Sequence, residues 1–590
     1  MTAHLLALTI GPVQEFIAAA RRTRDLWFGS YLLSEISKAT AKSVQDSGAT
    51  LIFPASSDGA DLEPDSHLNV ANVIVAEVNG SNPADVARAA KEAARARWIS
   101  FADRVFGGNP GVIQSDIWND QVNDVIECYA AWRVYSRQTY RSDRAALMRL
   151  LDARKRCRDF LPAKGRAGVP KSSLDGQRES VLRPPGGWPG RSRRRLHVRE
   201  GEQLDVVGMV KRVWVPQSGA QGYPSVARVA ADPWLRGAGV SRLEALVKAC
   251  RDLGNEALHE IDTSEGRGSP PYAAFPFEGT AVFRSRYHEF QEETGISQAE
   301  LEPLARALAD LTCDCGEPTP YLCVLVADGD HMGQALSGLQ SPDDHRAFSQ
   351  ALASFAGDAR RIVNVHNGVL VYAGGDDVLA FVPVDRCLAC SRALHDSFGD
   401  ALAIWSTRTR SDLTLSVGLA IAHFMEPLED LLEYGRAAEK HAKRPRSEDG
   451  EQEDRNGLAV HVLKRRGGPV AVRANWSTDP EKYLQQLAEW IASRAFSGRV
   501  AYDMHKIADV YESWPAGTVK DAIQRDTFSI MKGKQPRGAS RMDDIKRLIQ
   551  GRVVGPDSLR SLANDLLVAR QIAIALGQAS GNSRVGKDSV

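Results

Sequence analysis

Nowhere in this 590-residue sequence do about 18 apolar residues run together, the length a bilayer-spanning helix needs, so no membrane span is expected. The first apolar stretch, Leu5 to Ile10, is too short and has no basic residues before it, so it reads as a buried strand and not as a signal peptide. Cysteine is scarce. The eight cysteines, at 128, 157, 250, 313, 315, 323, 387 and 390, are too scattered for a disulfide framework, and a reducing cytoplasm fits them. Net charge is absent too, with 74 basic side chains against 74 acidic ones. A domain that coats nucleic acid by itself is usually strongly basic, so that class is disfavoured, while local basic patches stay open. Three catalytic signatures are also missing. There is no G-x-x-x-x-G-K-[ST] phosphate loop, His288-Glu289 lacks the second histidine of an H-E-x-x-H site, and no G-x-S-x-G stands at a strand–helix turn. What remains is a composition of 43% hydrophobic and 25% charged residues, suited to globular cores, and a length that allows about three to five domains.

The N-terminal block opens with the strand-like HLLALTI, then Gly11-Pro12, then a helical pattern from Val13 to about Val44. Strand signals at Thr50 to Phe53 and Asn72 to Val78 and a helix from about Ala84 to Phe106 follow. This βαββα order predicts an antiparallel sheet with helices on one face. From Asp159 to Arg199 prolines and glycines break the pattern, and Arg191, Arg193, Arg194, Arg195 and Arg199 cluster at its end. That cluster reads equally as an RNA phosphate contact or a solvated loop. Residues from about 205 to 310 are mostly helical in pattern. A second block starts at Tyr321 and repeats the first, strand then helix then strand pair then helix, which makes the two distant structural copies. Beyond about residue 470 strand signals nearly vanish, and Glu481–Ala495, Val500–Ser513 and Ser558–Leu576 carry helical periodicity.

The sharpest local feature is Tyr372-Ala373-Gly374-Gly375-Asp376-Asp377-Val378-Leu379-Ala380. Two glycines permit a tight hairpin and let a phosphate approach the backbone. Two adjacent carboxylates at its tip repel by roughly 4 kcal/mol at about 4 Å and an effective dielectric near 20, a penalty that a bound divalent cation removes. Taken alone, such a turn is as readily an ordinary hairpin. Asp328-Gly329-Asp330 at the end of the block's first strand changes that. In a βαββ sheet the first and third strands are neighbours, so Asp328 is expected to meet Asp376 and Asp377 in a three-carboxylate site able to hold one or two Mg²⁺ ions for phosphoryl transfer.

The GGDD hairpin, the DGD strand end and the later AEKHAKR helix resemble the nucleotidyl-cyclase palm shared with diguanylate cyclases. GPVQEFIAAARRTRDLWFGSYLLS, VPKSSLDGQRES, GEQLDVVGMVKRVW, YAGGDDVLAF and LSVGLAIAH narrow this to the large subunit of type III CRISPR–Cas effector complexes, Cmr branch. The resemblance spans most of residues 1 to 470 and implies an α+β fold, with two ferredoxin-like nucleotidyl-cyclase palms, helical insertions and a C-terminal α-helical domain. The expected division is a first palm over 1–215, a mainly helical linking domain over 216–317, a GGDEF-like second palm over 318–470 and the helical domain over 471–590.

The resemblance further implies a cyclic oligoadenylate synthase that binds two ATP molecules between the palms. The 3′-hydroxyl of one attacks the α-phosphate of the other and releases pyrophosphate, on Mg²⁺ or Mn²⁺. Asp328, Asp376 and Asp377 would be catalytic and metal-binding, with the Gly329 carbonyl as a further ligand and Asp330 a neighbour. Gln14, Ser34, Ser349, Gly374, Gly375, Lys440 and Lys443 would bind nucleotide, the two serines through adenine and the lysines through phosphate; Phe16 is as easily a core residue. The first palm has no adjacent carboxylates between its second and third strands and should host no chemistry. Expected partners are the backbone, small helical and guide-handle-binding subunits, guide RNA and target RNA, with no membrane. The sequence opens directly at the first palm, so the histidine–aspartate nuclease domain of many relatives is not expected, and His395-Asp396 lies in a helix of the second palm. Cys313-x-Cys315 and Cys387-x-x-Cys390 could converge, but C-x-C is poor zinc spacing and the second pair sits on a helix, so zinc is not expected. An idle scaffold subunit and a free-standing cyclase using GTP or ATP are the competing readings.

Overall fold

The computed structural model describes every residue except 1–2, 56–58, 67, 158–164, 185, 187, 189–195, 197, 200, 215–222, 255–256, 259, 262–269, 445–454, 466, 516–518, 535–540 and 582–590. Its central strands are nearly continuous in apolar residues because both of their faces are covered. In β1 (Ala3–Gly11), Leu6 and Leu8 pack with the helices Thr23–Asp46 and Pro83–Gly108, while Leu5 and Ala7 pack with Tyr140, Leu147 and Leu151 of the helix Tyr140–Arg156. Helices on one face were the expectation; the helix Tyr140–Arg156 covers the other.

β2 (Thr50–Phe53), β3 (Val73–Asn79) and β4 (Glu127–Val134) complete the first sheet, antiparallel throughout in the order β2-β3-β1-β4. The second sheet holds β5 (Tyr321–Gly329), β6 (Val369–Gly374), β7 (Asp377–Val382), β8 (Leu415–His423), β9 (Gly457–Val462) and β10 (Val470–Asn475) in the order β10-β9-β8-β5-β7-β6. Its segment β8-β5-β7-β6 repeats β4-β1-β3-β2, so the duplication read from element order holds at the level of topology. β5 is buried on both faces, with Leu325 and Ala327 against the helices Pro342–Val365 and Cys387–Thr409 and Leu322 and Val324 against the helical region before it.

Two expectations need correction. The helix from Val13 is broken into Gln14–Ala18 and Thr23–Asp46. Lys211, fully buried, donates its ammonium to the Phe16 and Ala19 carbonyls, which satisfies the end of the first helix where the chain turns. Beyond residue 470 strand structure does not stop, because β10 pairs antiparallel with β9. The helices Pro480–Ala492, Val500–Tyr511 and Pro556–Ala579 then form as expected, but they share one apolar core with the second palm.

The palms touch through the helix Pro342–Val365. Arg346 donates to Leu51 O at 2.9 Å and pairs with Glu77, and Tyr140 Oη meets His345 Nδ1 at 2.8 Å. No described helix is long and apolar enough to cross a membrane.

Candidate metal and nucleotide site

β5 and β7 are hydrogen-bonded neighbours with Ala327 opposite Val378, so Asp328 lies beside Asp377 at the turn end of the hairpin. Gly374 pairs with Asp377, which leaves Gly375-Asp376 as a two-residue turn, tighter than the four residues read from sequence. Gly375 has φ +82°, a left-handed conformation that favours glycine. Gly329 is needed for a different reason. A methyl there would stand 2.9 Å from Asp376 Cβ, 2.8 Å from Met332 Cγ and 2.9 Å from Phe398 Cζ, so only glycine lets the turn close on β5. At Gly374 a side chain would run into the Tyr372 ring.

Asp328, Asp376 and Asp377 each offer a carboxylate oxygen, and the three oxygens lie within 4.8 Å of one another. Asp328 and Asp376 are half-buried and Asp377 is exposed at the rim. Withdrawal from water, then the Asp377 charge, pushes Asp376 up to about 7. Desolvation raises Asp377 as well. Hard oxygen donors in a like-charged cluster fit Mg²⁺ or Mn²⁺ better than a thiophilic ion.

The helix Leu428–Lys443 supplies the counter-charge. Lys443 pairs with Asp328 and, at 3.0 Å, with Glu439. Burial, then Arg455, lowers Lys443 to about 8, and burial, then the charges of Asp377 and Asp330, raises Glu439 to about 7. Glu439 is a fourth carboxylate that the sequence reading missed, although its four-residue spacing from Lys443 puts both on one helix face.

Asp330 is no part of this cluster. It is fully buried and accepts from Thr414 Oγ1 at 2.7 Å, Ser416 Oγ at 2.8 Å and Asn456 N at 3.1 Å. Asp330→Ala should therefore remove about 2–3 kcal/mol of stability by stranding three donors, read by thermal unfolding, while Mn²⁺ affinity changes far less than in Asp376→Asn.

The remaining expected residues scatter. Gln14 is exposed, and Phe16 is buried under Lys211, 4.6 Å from its ring centroid, and edge-on to Trp98. Phe16 is core. Ser34 Oγ accepts from Val70 N at 2.9 Å and Ser349 Oγ accepts from Ala55 N at 3.1 Å, both side chains buried. Lys440 is exposed on the helix that carries Lys443. The His395 ring lies tilted against Trp476 at 4.7 Å and its Nε2 meets Asn456 Oδ1 at 2.8 Å, a packing role. Cys313 is exposed and Cys315 half-buried, whereas Cys387 and Cys390 are buried beside Cys323. Of the arginine cluster, residues 191–195 lie outside the described residues, and Arg199 pairs with Glu289 and, at 2.7 Å, Glu293.

Metal binding here should depend on pH. Asp376 must lose its proton to ligate, so below about pH 7 each bound Mn²⁺ should release close to one proton and affinity should fall by up to about tenfold per pH unit. Calorimetry in buffers of different ionisation heat measures both.

Residues 5–103 match the family model described as CRISPR-associated protein Cmr2, N-terminal, and residues 321–459 match Cas10/Cmr2, second palm domain. The CRISPR system Cmr subunit Cmr2 of Pyrococcus furiosus is 27% identical over 266 residues, which cover 41% of this chain and 29% of that protein. The chain thus spans less than a third of the length of the curated relative it matches. Among solved structures, a type III-B Cmr-beta complex in its apo state has a chain 14% identical, with a TM-score of 0.61 over 92% of this chain and 78% of that one. Cmr-beta bound to cognate target RNA gives 14% identity and a TM-score of 0.60 over 91% and 79%. At that identity the likeness concerns the fold.

Proposed function

We propose, for a chain that is a Cmr-branch large subunit of the Cas10/Cmr2 family, that the second palm polymerises ATP into cyclic 3′–5′ oligoadenylates when the assembled effector binds target RNA. The observation that supports this most is the convergence of Asp328 with the hairpin carboxylates Asp376 and Asp377 at the end of two neighbouring strands. Three oxygen-donor carboxylates, paired among the described residues with Lys443 at Asp328, suit Mg²⁺ or Mn²⁺. Bound there, such an ion would stabilise charge developing on the transferred phosphoryl group.

The chain's own residues have the following roles. The Gly374-Gly375 backbone, free of side chains, admits a triphosphate against the turn. Lys443, paired with Asp328 in the free site, moves to the phosphates when the carboxylates are otherwise neutralised, and its lowered proton affinity suits that exchange. The 3′-hydroxyl of one ATP forms a bond to the α-phosphorus of a second, the bond to pyrophosphate breaks, and the hydroxyl proton leaves to solvent through the acidic cluster. Ser34 and Ser349 accept a backbone N–H each and keep their own protons to donate to adenine. Gln14 and Lys440, both exposed, would meet nucleotide only from the solvent side. The first palm, without adjacent carboxylates, binds without reacting. Backbone, small helical and guide-handle-binding subunits, guide RNA and target RNA are the proposed partners.

Incubating the assembled complex with α-labelled ATP, Mg²⁺ and matching target RNA tests the proposal. A phosphatase-resistant adenylate product that needs target RNA supports it. Product from GTP alone, or no product with either nucleotide, overturns it.

A further inference from the structure

β6 is the edge strand of the second sheet, so its outward carbonyls have no ladder partner and need donors from elsewhere. Two of them find side chains. Leu370 O accepts from Tyr223 Oη at 2.7 Å, and Ala373 O accepts from Asn69 Nδ2 at 3.1 Å. Ala373 immediately precedes Gly374-Gly375-Asp376-Asp377, and Asn69 belongs to the other palm, in the connection between β2 and β3. In the duplicated topology that connection stands where the catalytic hairpin stands in the second palm, since β2–β3 corresponds to β6–β7. It has the position of the hairpin without its paired carboxylates.

The backbone on either side of Asn69 is fixed at several points. Val70 N donates to Ser34 Oγ at 2.9 Å, Asp65 N donates to the Glu35 carboxylate at 3.2 Å, and Lys38 Nζ donates to Ser66 O at 2.8 Å. The Tyr31 hydroxyl bonds the Asp65 carboxylate. Glu35 and Lys38 are 1% and 2% exposed and pair with each other at 2.8 Å. Breaking so buried a pair leaves an uncompensated charge, so it anchors the loop firmly. At the start of the connection Ala55 N donates to Ser349 Oγ. The two serines assigned to adenine by resemblance each hold one end of the same connection.

We propose that the β2–β3 connection of the first palm is a strut for the catalytic hairpin, with Asn69 as the positioning residue and Ser34 the group that sets it. A two-residue turn that contains Gly375 and follows Gly374 has little stiffness of its own. The Asn69 amide, tied through Ser34 and Glu35 to the helix Thr23–Asp46, fixes the end of β6 and therefore where Asp376 and Asp377 stand relative to Asp328 on β5. The inactive palm thereby acts on the metal site of the active one. The inference rests on the proposed synthase activity only where turnover is read.

The test uses the full chain in its assembled complex. Mn²⁺ alone is the first probe, titrated by electron paramagnetic resonance; amide exchange over Gly374–Val378 is the second, and ATP kinetics the third. Asn69→Asp keeps the shape and exchanges the donor for an acceptor. It should weaken Mn²⁺ about tenfold, speed exchange at the hairpin about tenfold and lower kcat about tenfold with KM for ATP within twofold. Ser34→Ala should move the Mn²⁺ and exchange values in the same direction, by about threefold. Tyr223→Phe, which removes the donor to Leu370 O, should leave Mn²⁺ affinity within twofold. If Asn69→Asp does not fold, Asn69→Ala takes the same readings. Wild-type Mn²⁺ affinity and exchange in the Asn69 variants would overturn the strut, and a rise in KM alone in Ser34→Ala would confine Ser34 to its adenine contact and overturn its part in the strut. A wild-type complex that binds Mn²⁺ but forms no adenylate product would sink the synthase reading and leave the strut to the Mn²⁺ and exchange measurements.

Discussion

Asp376→Asn combined with Asp377→Asn is expected to abolish target-RNA-dependent adenylate formation, a loss of about 10³-fold or more, and to remove Mn²⁺ binding at the hairpin. The same change should make the metal-free protein more stable at pH 8. Asp376 is pushed up to about 7, above the ordinary carboxylate range, because burial and Asp377 both disfavour its charge. A carboxylate whose proton affinity is higher in the folded state loses stability as pH rises from its unfolded to its folded value, because the unfolded chain gives up the proton first. The penalty is therefore full above about pH 7 and fades towards pH 4. Removing it should add about 1–2 kcal/mol at pH 8, after allowance for solvent screening, and almost nothing at pH 4. Thermal unfolding in chelator across that range reads the difference. Destabilisation at pH 8 would mean that the two carboxylates are structural and not held ready for a cation.

Gly418→Ala should be the most damaging single methyl in the second palm. Gly418 on β8 lies directly beneath the helix Leu428–Lys443, and a Cβ there falls inside contact distance of the Glu439 amide nitrogen and the Ala438 carbonyl carbon. Both are backbone atoms, which cannot swing aside. Gly435 gives the same closeness one turn earlier, where a Cβ would stand 2.7 Å from Val326 Cγ2 and 2.9 Å from Val324 Cγ1 of β5. These two glycines let the helix lie low enough for Glu439 and Lys443 to reach the carboxylates. The added methyl must lift the helix, at about 3 kcal/mol, and carry Lys443 away from Asp328. Turnover should fall by about 100-fold, with Mn²⁺ affinity changed less, because Asp328, Asp376 and Asp377 sit on strands and a turn that stay in place. Gly399→Ala is the control, since nothing lies within 4 Å of its added Cβ at a half-buried helix position, and it should gain up to about 1 kcal/mol. Equal melting temperatures for the two variants would refute the packing account.

The three-carboxylate cluster was legible because its geometry follows from strand order. Once Asp328 ends the first strand of a βαββ unit and Asp376-Asp377 begin the third, neighbourhood is a property of the topology and needs no side-chain detail. The duplication was legible for the same reason. β10 was missed because Val470–Asn475 mixes apolar residues with Arg473 and Asn475 and owes its strand state to the β9 ladder, not to a marked pattern of its own. The break after Ala18 depends on Lys211, far along the chain, taking two carbonyls. Asp330 carries the same side chain as Asp328 two residues away, and its partners Thr414, Ser416, Asn456 and Arg455 separate a buried structural carboxylate from a ligand. Asn69 and Glu439 fall in the same class. Their importance lies in what they touch across the fold, and a short polar residue or a helix-face glutamate carries no local mark of that.

The most direct test of the central claim is a structure of the assembled complex with Mn²⁺ and a non-reactive ATP analogue, with the metal located by anomalous scattering. The account predicts Mn²⁺ ligated by Asp328, Asp376 and Asp377, a triphosphate against Gly374-Gly375 and Lys443 withdrawn from Asp328 towards phosphate. Nucleotide bound elsewhere, or a three-carboxylate cluster still empty of metal with Lys443 on Asp328, would contradict it.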